Sequence, residues 1–215
     1  MVIVYQVDDH TIYVGVDQFE NEELIHFTQR FMEQSGLTLM WYHVDKFSSP
    51  HAYVRLHENE TTVPKKLADI CCQICKDGSI EGTKHPAVDV VYTVATNLMK
   101  TKGMNPGQVS FHNRKLMHVE HGVRKNNQIL KYIATVRSEC TVKDLEQELE
   151  DIVANKKKSK NSANQADDDW GGDDFDDGFD ENPKKKVKVS KNGVQQMLDN
   201  IPKAEFNTNM EDDFM

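Results

Sequence analysis

The densest gathering of groups able to do chemistry lies between Met40 and His57, in the run MWYHVDKFSSPHAYVRLH. Ser48, Ser49, His43, His51 and Asp45 supply the residue types of a hydrolytic triad. No G-x-S-x-G elbow surrounds either serine, and triads are assembled by geometry from distant segments, so this spacing does not favour acyl transfer. The alternation says more. In His51–His57 the even positions Ala52, Val54 and Leu56 are apolar and the odd positions His51, Tyr53, Arg55 and His57 are polar or aromatic. A period of two sends the sets to opposite faces, so one face carries groups that stack on bases and pair with phosphates. The same pattern fits an exposed sheet face that needs polar residues.

Cys71, Cys72, Cys75 and Cys140 place three thiols within five positions. Cys72-x-x-Cys75 has the minimal spacing of a metal or redox pair, but no second pair follows and the thiols fall on a helical stripe. Core packing of reduced cysteines is the expectation. The nine histidines form no H-x-H, HExxH or two-His-one-carboxylate pattern, and no GxxxxGKS/T or GxGxxG loop is present. No catalytic residue, metal or cofactor is therefore expected, and the chain reads as a non-enzymatic protein.

A stronger signal is positive charge. Between residues 84 and 137, Lys84, Lys100, Lys102, Arg114, Lys115, Arg124, Lys125, Lys131 and Arg137 face only Asp89 and Glu120. Gly103, Gly107 and Gly122 lie among them, so several belong on loops or a strand edge, with Tyr92 and Phe111 available for stacking. Phosphate attraction needs only Lys and Arg held on one surface. The whole chain runs the other way: 26 Lys and Arg against 35 Asp and Glu give a net charge of −9 over 215 residues. Residues 167–181, DDDWGGDDFDDGFDE, hold nine acids and no base, so that tract carries the imbalance. Local patches, not the total, describe partners.

These residues need elements to hold them. TIYVGV (Thr11–Val16) alternates as a strand, and a helix follows with Asn21 as its N-cap and Leu24, Ile25, Thr28, Phe31 and Met32 on one stripe. Leu39–Val44 and Ala52–Leu56 read as a strand pair around KFSSP. Pro64–Lys76 is a helix with Leu67, Ile70, Cys71, Ile74 and Cys75 inward, opened by Pro64 and stopped by Gly78. Val88–Val94 and Gln108–His121 are strand-like, and Asn126–Arg137 returns to helical spacing. Thr141-x-x-Asp144 opens a helical extension over 141–155 whose Leu145, Leu149, Ile152 and Val153 are expected to dock on the chain's own domain. The division is a globular α+β region at 1–137, a helical extension at 138–155 and a disordered tail at 156–215. No apolar run of membrane-spanning length and no secretory leader is visible, so a cytoplasmic protein is expected.

The string WYHVDKFSSPHAYVRLH, followed by SIEGTK (79–84), VDVVYTVATNLMKT (88–101), MNPGQVSFH (104–112) and NNQILKYI (126–133), closely resembles the family of coiled-coil domain-containing protein 25. VGVDQFENEELI (14–25) resembles that family's opening segment. The family's defining unit is the NFACT-R domain, shared with NEMF-type ribosome-quality-control proteins. The resemblance implies a compact α+β fold with a mixed sheet and packed helices, which binds RNA such as rRNA or tRNA on ribosomes and does no catalysis. DNA binding is the family alternative. Carried over by position, the family's polar residues are His43, Asp45, Lys46, Ser48, Ser49, His51, Tyr53 and Arg55, then Lys84, Asn97, Lys100, Gln108 and His112. Together with the cations above, this makes His43, Lys46, Ser48, Ser49, His51, Tyr53, Arg55, Lys84, Lys100, Lys102, His112, Arg114, Lys115, Arg124 and Lys125 the expected nucleic-acid-binding set. The chain departs from the family where Val94-Ala95 replaces a Pro-Trp pair, and its helical extension is short.

The tail has its own patterns. PKKKVKV resembles a nuclear localisation signal carried by Lys184, Lys185, Lys186 and Lys188, which adds the nucleus as a second expected location. Trp170, Phe175 and Phe179 among acids form an acidic-aromatic pattern suited to protein partners.

Overall fold

A computed structural model describes residues 1–164. In chain order the elements are β1 (Val2–Val7), β2 (His10–Gly15), α1 (Gln18–Ser35), β3 (Leu39–Val44), β4 (Ala52–Arg55), α2 (Lys65–Asp77), β5 (Ala87–Val94), β6 (Leu98–Met99), β7 (Ser110–Phe111), β8 (His118–Arg124), α3 (Asn127–Thr135), β9 (Arg137–Cys140) and α4 (Val142–Asn164). Seven strands form one sheet in the order β8-β5-β3-β4-β2-β1-β9, and β6 with β7 makes a separate two-stranded ribbon. Every pairing is antiparallel. The α+β class expected from the sequence is the class observed.

The strand period builds two cores. Residues alternating along β1 to β5 send Val7, Ile12, Val14, Tyr42, Val44, Val54 and Val90 to one side, where α2 presents Leu67, Ile70, Cys71, Ile74 and Cys75 and α3 adds Ile133. The opposite set, Val4, Tyr13, Leu39, Trp41, Tyr53 and Val91, packs under Leu24, Phe27 and Phe31 of α1 and Leu145 and Leu149 of α4. The α2 thiols are thus core residues, and burial pushes all three up, Cys72 to about 12.

Three sequence expectations shift. The N-cap of α1 is Asp17, whose Oδ1 accepts from the Phe19 and Glu20 amides at 2.8 and 3.0 Å. Asn21 instead lies inside the helix, buried, with its Oδ1 accepting from the His51 amide at 3.4 Å. The division drawn after residue 137 falls in β9, which pairs with β1. The following helix begins at the expected Thr141–Asp144 box, closed by reciprocal bonds of 2.7 and 3.3 Å, but continues through residue 164. It is part of the same folded unit, with Leu145 and Leu149 buried beneath it. The rest of the expected tail, including Trp170, Phe175, Phe179 and Lys184, Lys185, Lys186 and Lys188, lies outside the described residues. Among the described residues, no helix is long and apolar enough to cross a membrane.

Candidate nucleic-acid interface

The His51–Arg55 face is not open to solvent. β4 sits in the middle of the sheet, between β3 and β2, so its odd positions meet the helices above them. Tyr53 is 0% exposed, and burial pushes its hydroxyl well above the ordinary range. His51 is buried between Trp41, His43 and Tyr53, and burial, with His43 and Lys100 adding, pushes it down to about 3. His43 stacks on Trp41 at 5.4 Å and is also pushed down by burial. Both imidazoles are therefore neutral near pH 7 and add no charge for a phosphate. Arg55 is spent as a tie between strand and helix. It donates to Glu148 of α4 at 2.5 Å, to the Tyr13 hydroxyl at 2.9 Å and to Thr11 Oγ1 at 3.0 Å. Ser49 is buried in the β3–β4 loop, accepting from the Val44 amide at 3.0 Å and donating to the Pro50 carbonyl at 3.1 Å. The expectation that Ser49, His51, Tyr53 and Arg55 present an RNA-facing surface is corrected: each holds the fold.

Lys100 is corrected in the same way. Its ammonium meets Glu22 at 2.5 Å and donates to the Asn105 and Gln108 carbonyls at 2.7 and 3.0 Å, leaving the side chain 15% exposed. Burial pushes Glu22 up, but Lys100 and the Gly107 amide together outweigh it and hold the carboxyl below its ordinary value. Gly107 is required here. At φ 75 it passes so close to α1 that a Cβ would stand 3.0 Å from the Gln18 carbonyl oxygen. Lys100, Glu22 and Gly107 thus pin the loop between β6 and β7 onto the start of α1.

The loop and the turn that follows β7 present cations that are unpaired among the described residues. From residue 90 to 119 the chain contains no acid. Asn97, buried, clamps the turn after β7: its carboxamide donates to Asn113 O at 2.9 Å and to Thr93 Oγ1 at 3.0 Å, and its Oδ1 accepts from the Asn113 amide at 2.9 Å. Asn113 Oδ1 then caps Lys115 N at 3.0 Å, and Thr93 donates to Leu116 O at 2.8 Å. The 3-10 turn Arg114–Leu116 is fixed at both ends, with His112, Arg114 and Lys115 exposed, and Lys102 is exposed on the loop between β6 and β7. Lys102, Arg114 and Lys115 have no ion-pair partner among the described residues. Phe111 packs edge-on against Trp41 at 5.8 Å and is half-buried, so it supports this turn from below.

A second group lies at the other end of β5. Ala87 opens β5 opposite Arg124, the last residue of β8. Nearby, Lys46 adds to the positive field at Asp89, and Phe47 stacks on His85 at 4.9 Å. Lys84 pairs with Glu81 at 2.6 Å and Lys125 with Asp77 at 3.0 Å, while Arg124 has no ion-pair partner among the described residues. Ser48 is exposed in the same loop, and its carbonyl accepts from Ser79 Oγ at 2.6 Å. Residue types alone did not single out Phe47, His85 or the exposed Ile80 at this end. Eight strand residues at ~3.3 Å each put the two cation groups roughly 25 Å apart along the outer edge formed by β5 and β8.

A family model described as the NFACT protein RNA binding domain matches residues 1–113. The coiled-coil domain-containing protein 25 homolog of Dictyostelium discoideum is 38% identical over 146 residues, covering 66% of this chain and 68% of that protein. Coiled-coil domain-containing protein 25 of Bos taurus is 40% identical over 143 residues, 66% of this chain and 65% of its own length. Protein JLP2 of Saccharomyces cerevisiae is 38% identical over 156 residues, 71% of this chain and 70% of its own length. The chain thus spans about two thirds of the length of these relatives.

Proposed function

Because this chain belongs to the family of coiled-coil domain-containing protein 25 and carries an NFACT-type RNA-binding domain over residues 1–113, we propose that it binds RNA along the β5–β8 edge. The observation that carries this reading is the acid-free segment 90–119, whose Asn97-clamped turn exposes Arg114 and Lys115 and whose β6–β7 loop exposes Lys102, all three without carboxylate partners among the described residues. Arg124 extends the same edge. Such a surface holds backbone phosphates and reads no bases, so affinity comes with little sequence choice. The role is non-catalytic: the Ser49 hydroxyl is committed to Val44 and Pro50, and His51 faces Tyr53 across 3.4 Å instead of a nucleophile. The RNA we favour is ribosomal or transfer RNA, with the protein acting in the cytoplasm on or near ribosomes.

Binding of the full chain to a labelled single-stranded RNA at rising salt tests the reading. Four phosphate contacts correspond to a slope of log affinity on log salt of about −3. Changing Lys102, Arg114 and Lys115 together to Ala is expected to cut that slope by about 2 and weaken binding at low salt. Wild-type affinity in this triple variant would place the RNA elsewhere. Competition by DNA of the same sequence tests the alternative polyanion, and co-sedimentation with purified ribosomes tests the ribosomal assignment.

A further inference from the structure

The strands bring together a group that no local spacing announces. β1 and β2 are joined through Asp8 and Asp9, with Asp8 at φ 55 making the tight reversal. The tip of this hairpin lies against the loop that leaves β4, where His57 and Glu60 sit. Asp9 Oδ1 is 3.1 Å from His10 Nδ1, and Asp9 Oδ2 is 3.1 Å from His57 Nε2. The two imidazole centroids are 4.3 Å apart. One ligand atom from each of Asp9, His10 and His57 can be chosen so that all lie within 4.8 Å of one another.

We propose that Asp9, His10 and His57 form a binding site for a divalent first-row transition ion, zinc in the first instance, with Glu60 as its positioning residue. Two imidazoles and one carboxylate are a borderline nitrogen and oxygen donor set, which suits zinc better than calcium or magnesium. Tetrahedral ligands at ~2.05 Å from zinc stand roughly 3.3 Å apart; each imidazole nitrogen is 3.1 Å from one of the two Asp9 oxygens, and the three ligand atoms lie within 4.8 Å of one another, so the set needs only side-chain movement to close on an ion. Glu60 supplies a second, independent sign. Its carboxylate lies 2.9 and 3.1 Å from His10 Nε2, the nitrogen facing away from Asp9, and its Oε2 accepts from the His57 amide at 2.9 Å. A carboxylate holding the far nitrogen of a ligating histidine fixes the tautomer that frees Nδ1 for the metal. His10 is buried while Asp9 and His57 reach the surface, so a fourth position opens to water. A bound ion would tie the β1–β2 turn to the β4–α2 loop, far along the sheet from the cationic β5–β8 edge.

The test uses the untagged full chain, stripped of metal by a chelator and titrated calorimetrically with Zn2+ alone. One ion per chain is expected, with a rise in the thermal unfolding temperature, because an ion that binds only the folded state stabilises it. Asp9→Asn and His57→Asn, both at exposed positions, should each abolish the site and the thermal shift, with circular dichroism confirming the fold. Glu60→Gln should keep one-to-one binding with affinity reduced about 10- to 100-fold. Co2+ in place of Zn2+ should give visible ligand-field bands without thiolate charge transfer. No saturable site in the wild type would overturn the proposal. So would a site that survives both Asn variants, or a thiolate band, which would assign the ion to the cysteines.

Discussion

On β4, Tyr53 lies sealed under α1 and Arg55 reaches across to Glu148 of α4, whereas after β7 Arg114 and Lys115 stand exposed with no ion-pair partner among the described residues. Both regions hold aromatic, histidine and arginine side chains at spacings that suit RNA. Their fates diverge because β4 is a middle strand, flanked by β3 and β2 and covered on both faces, while β8 is an edge strand and the turn before it leaves the sheet. A polar residue on a middle strand must find a partner inside the protein or lose its hydration without return. Arg55 finds Glu148, Tyr13 and Thr11; His51 stays neutral among rings. At the edge no such demand exists, and cations stay available. Position in the strand order therefore decides which of two similar sets stays open to solvent.

The largest expected effect breaks the comparison on the covered side. Tyr53→Ala removes a fully buried ring between α1 and the sheet and should cost about 3–5 kcal/mol in urea unfolding, with RNA affinity of the folded fraction unchanged. Lost RNA binding at unchanged stability would mean that this face opens to RNA after all. Arg55→Ala comes next. The half-buried Glu148 carboxylate loses its charged partner, which costs about 1–3 kcal/mol, toward the lower end because solvent reaches the pair. Adding Glu148→Ala should recover part of that loss, and strict additivity of the two changes would show that the tie contributes nothing.

These two regions also mark how far local pattern carries. The α2 stripe from Leu67 to Cys75 and the Thr141–Asp144 box are set by neighbours within two turns, so the sequence displays them directly. The start of α1 does not follow so simply. Asp17 and Asn21 are both cap-forming residues, and the choice is settled by His51, whose amide, thirty residues away, meets the Asn21 carboxamide. β9, Arg-Ser-Glu-Cys, carries no strand signal because it is a polar edge strand recruited by β1. In the site, the basic segment is legible as composition, but the loss of Lys100 to Glu22 depends on a loop folding onto α1. The same long-range assembly hides Asp9, His10 and His57 from any motif.

Acidification separates the regions by a different route. His51 is held down to about 3 in the folded state against an ordinary value near 6.5, so between these values the unfolded chain binds the extra proton. Stability contributed by the neutral ring is complete above pH ~6.5 and falls as pH drops toward 3, by up to ~1.4 kcal/mol per pH unit. Burial acts on His43 in the same direction. Urea unfolding from pH 7 to 4 should show this slope, and His51→Gln should flatten it. An unchanged slope in the variant would assign the acid sensitivity to other groups.

The smallest effect concerns the edge itself. Its far end holds Arg124, which has no ion-pair partner among the described residues, yet beside it Lys125 is occupied by Asp77 at 3.0 Å, in a pair whose partners are both about half exposed. An exposed pair of this kind contributes little to stability, so Asp77→Asn should move unfolding by less than ~0.5 kcal/mol. The change frees one ammonium next to Arg124. If RNA runs the full edge from Arg114 to Arg124, the released Lys125 adds about one phosphate contact, steepening the salt slope by roughly 0.7 and tightening binding at low salt. If RNA touches only the β6–β7 loop and the Asn97-clamped turn, this end lies beyond it, and neither slope nor affinity moves while the Lys102, Arg114 and Lys115 substitutions keep their full effect.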